Sequence, residues 1–174
     1  MHSTDCDANA VCGVRCEEID LLEANRHAIH VTLHTAEDGA GRGNGLGGSF
    51  GSGAGFDASM YGPGANVVDT AKPFRVAAYF ATDDGTANGK LRAVAMTLTG
   101  DGGASLKFEV SASDEYLAVL SEAIRAGMTP TASYWSSHNS ACTRMAIAHC
   151  LTTLSHSTAH RLPTVVRPAT DLEL

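Results

Sequence analysis

What this sequence has little of excludes several classes of protein. No apolar run approaches the ~20 residues that a membrane-spanning helix needs, so we expect no membrane partner. The chain has 12 Lys and Arg against 19 Asp and Glu. Such an acidic balance repels phosphate backbones and argues against a nucleic-acid partner. Hydrophobic residues still make up 44% of the 174 residues, enough for one packed domain.

The N-terminus and the cysteines leave the cellular compartment open. Residues 1–7 lack the basic and apolar regions of a secretory signal peptide. Three of the five cysteines lie in the first 16 residues, and the other two are Cys142 and Cys150. Their spacings match no standard zinc pattern. The odd count fits either a secreted disulfide framework or reduced intracellular thiols, and the pairing stays open.

Short strands separated by glycine turns dominate the middle of the chain. Alternating apolar and polar residues predict strands at residues 28–35, 74–80, 91–99, 106–111 and 129–135. One short helix is predicted at Ser113–Ala126, because its apolar residues recur at helical spacing and Gly127 follows as a stop. This order of elements is typical of an antiparallel β-sandwich or barrel.

Three stretches lack a clear pattern. Residues 17–26 are ambiguous between helix and strand. Residues 39–55 are rich in glycine and are interpreted as a flexible loop. Periodicity is lost after Ser136, so we predict a domain over residues 1–140 and an irregular tail over 141–174.

The strongest chemical signal is the E-x-D-x-x-E arrangement of Glu18, Asp20 and Glu23. Hydrolysis of a glycoside with retention needs two carboxyl groups ~5–5.5 Å apart. On a strand, Glu18 and Asp20 share a face, but Glu23 faces the other way unless a β-bulge adds one residue before it. On a helix, the same acids form a solvated surface turn, which the spacing alone favours.

The residues around these acids resemble glycoside hydrolase family 7, the retaining cellulases. Glu18–Asn25 reads E-I-D-L-L-E-A-N against the family's E-M-D-I-W-E-A-N, and Cys16 precedes it as in the family. Thr32-Leu-His34 resembles the family's T-P-H. Further matches follow in the family's order at Tyr61–Gly64, Val68–Thr70, Lys72–Phe74, Ala126–Met128 and Ser133–Trp135.

This resemblance implies both a fold and a set of site residues. The fold is a concanavalin-like β-sandwich of the jelly-roll type, and the chain corresponds to the C-terminal half of that domain. Glu18 would be the nucleophile, with Asp20 as its hydrogen-bonding support and Glu23 as the acid/base. His34 and Trp135 would contact the substrate, His34 on the leaving-group side and Trp135 by stacking on a sugar.

The implied activity is hydrolysis of β-1,4-glucan, in cellulose or cello-oligosaccharides, by an extracellular monomer. This chemistry needs no metal or organic cofactor, and we interpret His27, His30 and His34 as polar strand residues rather than metal ligands. Two departures from the family argue against processive action. Leu22 replaces the tryptophan of the acid motif, and Trp135 is the only tryptophan in the chain.

Two alternatives remain beside this interpretation. Glycoside hydrolase family 16, of the same clan, shares E-x-D-x-x-E and a T-L-H segment, and its substrates include β-1,3- and mixed-linkage glucans. It accounts less well for Tyr61–Gly64 and Val68–Thr70. The alternative outside the enzymes is a vestigial or non-catalytic jelly-roll fragment that binds carbohydrate.

Overall fold

The computed structural model describes residues 6–10, 13–39, 45–51, 56–136 and 143–152. Its elements in chain order are β1 (Glu18–Ala24), β2 (Ala28–His34), β3 (Leu46–Gly51), β4 (Tyr61–Gly62), β5 (Val68–Asp69), β6 (Arg75–Thr82), β7 (Leu91–Thr99), β8 (Ser105–Val110), α1 (Asp114–Ala126), β9 (Met128–Ser136) and β10 (Thr143–Thr152). None of the helical structure in these residues is long and apolar enough to span a membrane.

Two antiparallel sheets form the layers of the fold. The larger sheet has the order β3-β2-β1-β10-β9, and the smaller has the order β6-β7-β8. A parallel pair, β4 and β5, forms a third, two-stranded sheet. The mainly β fold with one helix confirms the predicted class, a partial β-sandwich of the jelly-roll type.

The core lies between the two sheets. On the larger sheet it takes one face of β1 and β2, with Ile19, Leu22, Ala24, Ile29, Val31 and Leu33 all buried. On the smaller sheet it takes alternate residues of β7 and β8, including Val94, Met96, Leu98, Leu106 and Phe108. Leu117 and Leu120 of α1 close one side. The other face of β1 and β2 is therefore left for polar residues.

The predicted helix and five predicted strands are present, with ends that differ by one or two residues. At the start of α1, Ser113 accepts a hydrogen bond from the Tyr116 backbone N–H, and Gly127 ends the helix. The ambiguous segment at residues 17–26 forms β1, because its apolar residues meet the core at strand spacing.

The prediction of a loop over residues 39–55 is wrong for β3. This strand pairs with β2 although half of its residues are glycine, since pairing uses backbone groups. Its Gly47 lies so near β2 that an added Cβ would stand 1.9 Å from the Val31 carbonyl oxygen. Glycine hides this strand from sequence patterns and also permits its close approach.

The structure also differs from the expectation of irregular chain after Ser136. β10 is an interior strand of the larger sheet, between β1 and β9. Its sequence lacks a clear alternation that would have predicted it. The division into 1–140 and 141–174 stays a prediction, and residues 153–174 lie outside the described part of the chain.

We expect Gly47→Ala to lower the free energy of unfolding by about 1–3 kcal/mol, as overpacking does. The Cβ would meet backbone, which no side-chain rotation can clear. Gly102→Ala is the matched control, because nothing lies within 4 Å of its added Cβ. Chemical denaturation of both variants measures the difference, and equal stability would contradict the close approach of β3.

Candidate active site

Strand β1 contains the β-bulge that the acid spacing requires. At its start, Glu18 pairs with His34 and Asp20 with Thr32, but after a register shift Glu23 pairs with His30. One extra residue therefore lies between Asp20 and Glu23, so that Leu21 and Leu22 together oppose Val31.

The bulge places the three acids on one face of the sheet. Ile19, Leu22 and Ala24 face the core, and Leu21 also packs against it. Glu18, Asp20 and Glu23 are absent from the core and pair with polar residues of β2. An unbulged strand would instead turn Glu23 toward the core side.

Glu18 lies beneath the segment at residues 6–10. Glu18 is 3% exposed, and its Oε2 accepts a hydrogen bond of 3.0 Å from the Ala8 backbone N–H. A disulfide joins Cys6 to Cys16, two residues before Glu18, and fixes this segment over the strand. A backbone donor of this kind favours an ionised carboxylate.

Asp20 and His34 form the best-defined pair of the site. Asp20 is 6% exposed, and its Oδ2 lies 3.3 Å from Nε2 of His34. Burial lowers the pKa of His34, but the hydrogen bond to Asp20 and the charges of Asp20, Glu18 and Asp38 outweigh it, so the pKa is raised. The imidazolium form therefore offsets part of the negative charge of the buried acids.

A second group of polar residues fixes the end of β2 beside His34. The Tyr116 hydroxyl, on α1, shares its one proton between the Leu33 carbonyl, at 2.8 Å, and Asp38. The Thr35 backbone and hydroxyl also donate to Asp38, at 2.9 and 3.1 Å. Burial and the Asp38 carboxylate raise the pKa of Tyr116, which keeps the hydroxyl as a donor.

Sequence reasoning missed Ala8, Asp38 and Tyr116 as supports of the site. Thr35 and Asp38, three residues apart, fit the local turn pattern of such residues and were a usable signal. Tyr116 lies 78 residues from Asp38, and Ala8 acts through its backbone, so neither had a local signal.

The remaining predicted residues are placed as follows. Glu23 and His34 are both only partly exposed on the acid-bearing face of the sheet. Trp135 lies in β9 and pairs with Arg144 of β10, but its side chain lies outside the described part of the structure. Among the described residues, no group of three or more His, Cys, Asp or Glu could hold a metal ion.

Comparisons with known proteins show the family of this chain. The model of glycosyl hydrolase family 7 matches residues 2–121, and the chain belongs to that family. Endoglucanase EG-1 of Hypocrea jecorina is 32% identical over 141 residues, which cover 73% of this chain and 29% of that protein. Endoglucanase EG-1 of Trichoderma longibrachiatum is 30% identical over the same shares.

The chain thus spans about 29% of the length of the curated relatives it matches. No solved structure matches it significantly.

We expect Asp20→Asn to lower the pKa of His34, since it removes both the charge and the ionic hydrogen bond that raise it. In the wild-type protein, the raised pKa adds stability that is complete below about pH 6.5 and is lost as the pH rises through the folded-state value. The variant should lose the part of this pH dependence that Asp20 supplies.

Titration of the His34 ring by NMR and unfolding measured at several pH values check the prediction. Asp101→Asn is the control, because Asp101 pairs with Lys72 and is not among the charges that act on His34. An unchanged His34 titration in Asp20→Asn would show that the pair does not set this pKa.

Proposed function

We propose that this chain carries the catalytic acids of a glycoside hydrolase that cleaves β-1,4-glucan with retention. The bulge in β1 is the observation that carries the proposal. It supports a common face for Glu18, Asp20 and Glu23, in a chain that belongs to glycosyl hydrolase family 7. A surface helix turn, the alternative from spacing alone, does not fit a strand with a core face.

In the first step, the Glu23 carboxylic acid gives its proton to the glycosidic oxygen as the glycosidic bond breaks. A carboxylate oxygen of Glu18 bonds to the anomeric carbon and forms a glycosyl ester. In the second step, Glu23 takes a proton from water, the water oxygen bonds to the same carbon, and Glu18 leaves as a carboxylate. Two displacements retain the anomeric configuration.

Asp20 and its neighbours prepare Glu18 for this role. Asp20 is two residues from Glu18 and shares its face, so it is placed to support the nucleophile by hydrogen bonding. His34 contacts Asp20 and offsets charge at the pair. The Ala8 backbone N–H favours the ionised Glu18 that attack requires.

The proposed substrate is cellulose or a cello-oligosaccharide, and the bonds cleaved are internal bonds of the glucan. The matched relatives bear the name endoglucanase, which supports this choice. His34 would contact the sugar on the leaving-group side, and Trp135 would stack on another. We also propose that the chain corresponds to the C-terminal half of the family's catalytic domain and acts as an extracellular monomer.

A non-catalytic, carbohydrate-binding role is the second candidate. One observation favours it: Glu18 is 3% exposed and lies beneath Ala8, which is itself 2% exposed. A nucleophile must reach the anomeric carbon of its substrate, so the segment at residues 6–10 has to move for catalysis.

We expect Glu18→Gln to reduce kcat on cello-oligosaccharides by on the order of 10⁴-fold, because the nucleophile is lost. Glu17→Gln is the matched control, since it removes the adjacent carboxylate, which lies before β1, and should leave kcat unchanged. A 2-fluoro cellobioside with a good leaving group should add one glycosyl unit to Glu18 in the wild-type chain, measured by peptide mass.

Two other results would each favour a different function. Reducing sugar released from laminarin alone would favour β-1,3- or mixed-linkage glucan as the substrate. No release and no labelling, together with measurable binding of cello-oligosaccharides, would favour the binding role.

A further inference from the structure

His30 occupies the position directly opposite Glu23. The two residues pair across β1 and β2, immediately after the bulge. Directly paired residues on one sheet face have Cβ atoms ~4.5–5.5 Å apart. Both residues are partly exposed, so neither side chain is fully solvated or fully buried. The bulge thus brings a titratable imidazole beside the proposed acid/base.

Glu23 is the nearest acid that the register offers to His30. On the other side, β3 places the uncharged Ser49 opposite His30. Asp20 pairs with Thr32, which is the next residue of β2 on the same face as His30. Asp20 is therefore a diagonal neighbour of His30.

Glu23 has its own neighbours in the sheet. Ala146 of β10 pairs with it and carries no charge. Two further charged or titratable residues of β10 belong to the same region: His149 pairs with Asp20, and Arg144 is two positions from Ala146.

We propose that His30 is a positioning residue that sets the pH range over which Glu23 holds its proton. A protonated imidazole beside a carboxyl group favours the carboxylate. Glu23 would therefore lose its proton at a lower pH than it would opposite an uncharged residue. The proposal rests on the acid/base role of Glu23 given above.

Glu18, Asp20 and Glu23 form a row along one face of β1, called here the acid row. Two histidines of β2 lie beside this row and have different tasks. His34 contacts Asp20 at the Glu18 end of the row, where both carboxylates are buried. His30 lies at the Glu23 end, where the acid is partly exposed and must change protonation in each half-reaction. The two ends also differ in burial, since Glu18 is buried and Glu23 is partly exposed, and different surroundings let two carboxyl groups keep different protonation states.

The test follows the Glu23 carboxyl carbon by NMR titration in the full 174-residue chain. In His30→Gln, the midpoint of this titration should rise by about one pH unit, because an opposite charge at this distance is removed. His30→Lys keeps a positive charge and should hold the midpoint at or below its wild-type value.

His27→Gln is the matched control, since His27 is exposed and lies in the turn between β1 and β2. It should leave the Glu23 midpoint unchanged. Near-UV circular dichroism confirms that each variant is folded before titration.

Activity supplies the second readout. In His30→Gln, the alkaline limb of kcat/KM on cello-oligosaccharides should move to higher pH by the same amount, whereas a merely structural loss would lower activity at every pH.

The two readouts separate this proposal from the proposed function. A raised Glu23 midpoint without hydrolysis by the wild-type chain would support the coupling and overturn the catalytic role. Hydrolysis with an unmoved Glu23 midpoint in His30→Gln would leave catalysis standing and overturn the role of His30.

Discussion

One extra residue in β1 determines which side chains the larger sheet turns toward the core and which it turns to the opposite face. The core takes Ile19 and then Leu22, an interval of three, where a regular strand would offer Leu21. Without the bulge, a register that keeps Ile19 in the core would turn Glu23 into apolar surroundings, and one that keeps Leu22 there would turn Glu18 and Asp20 inward. Burial of an unpaired carboxylate costs several kcal/mol, so the sequence has no cheap alternative.

The irregularity extends across the neighbouring strands. β10 keeps one register with β1 through the bulge, but its own pairing with β9 shifts between Ile147 and His149. Ala148, which lies between them, falls opposite Leu21 by that register. A local deviation in β1 is thus continued by β10, which keeps the two strands paired on both sides of the acid row.

Three carboxyl groups on one face repel one another when ionised, and nearby polar groups reduce this repulsion. Ala8 supplies a backbone donor to Glu18, and His34 supplies a cation to Asp20. The position of His34 depends in turn on Asp38 and Tyr116, which tie the end of β2 to α1. The helix thus supports the site although none of its residues belongs to the acid row.

The sequence predicted what repeats locally and missed what depends on distant partners. Alternation revealed β7, and apolar residues at helical spacing with Gly127 as a stop revealed α1. The bulge could be foreseen because the chemistry demanded three acids on one face. β3 was hidden because glycine has no side chain to alternate, and β10 because its sequence shows no clear alternation.

The contact between Ala8 and Glu18 links the two candidate functions. The disulfide between Cys6 and Cys16 closes a short loop, so Ala8 cannot move far from Glu18 while the bond is intact. The same donor that favours an ionised Glu18 therefore also limits the exposure of its carboxylate. The proposed catalytic role requires the loop to uncover the Glu18 carboxylate. A binding role requires no such movement, because a sugar can lie across the partly exposed residues Glu23, His30 and His34.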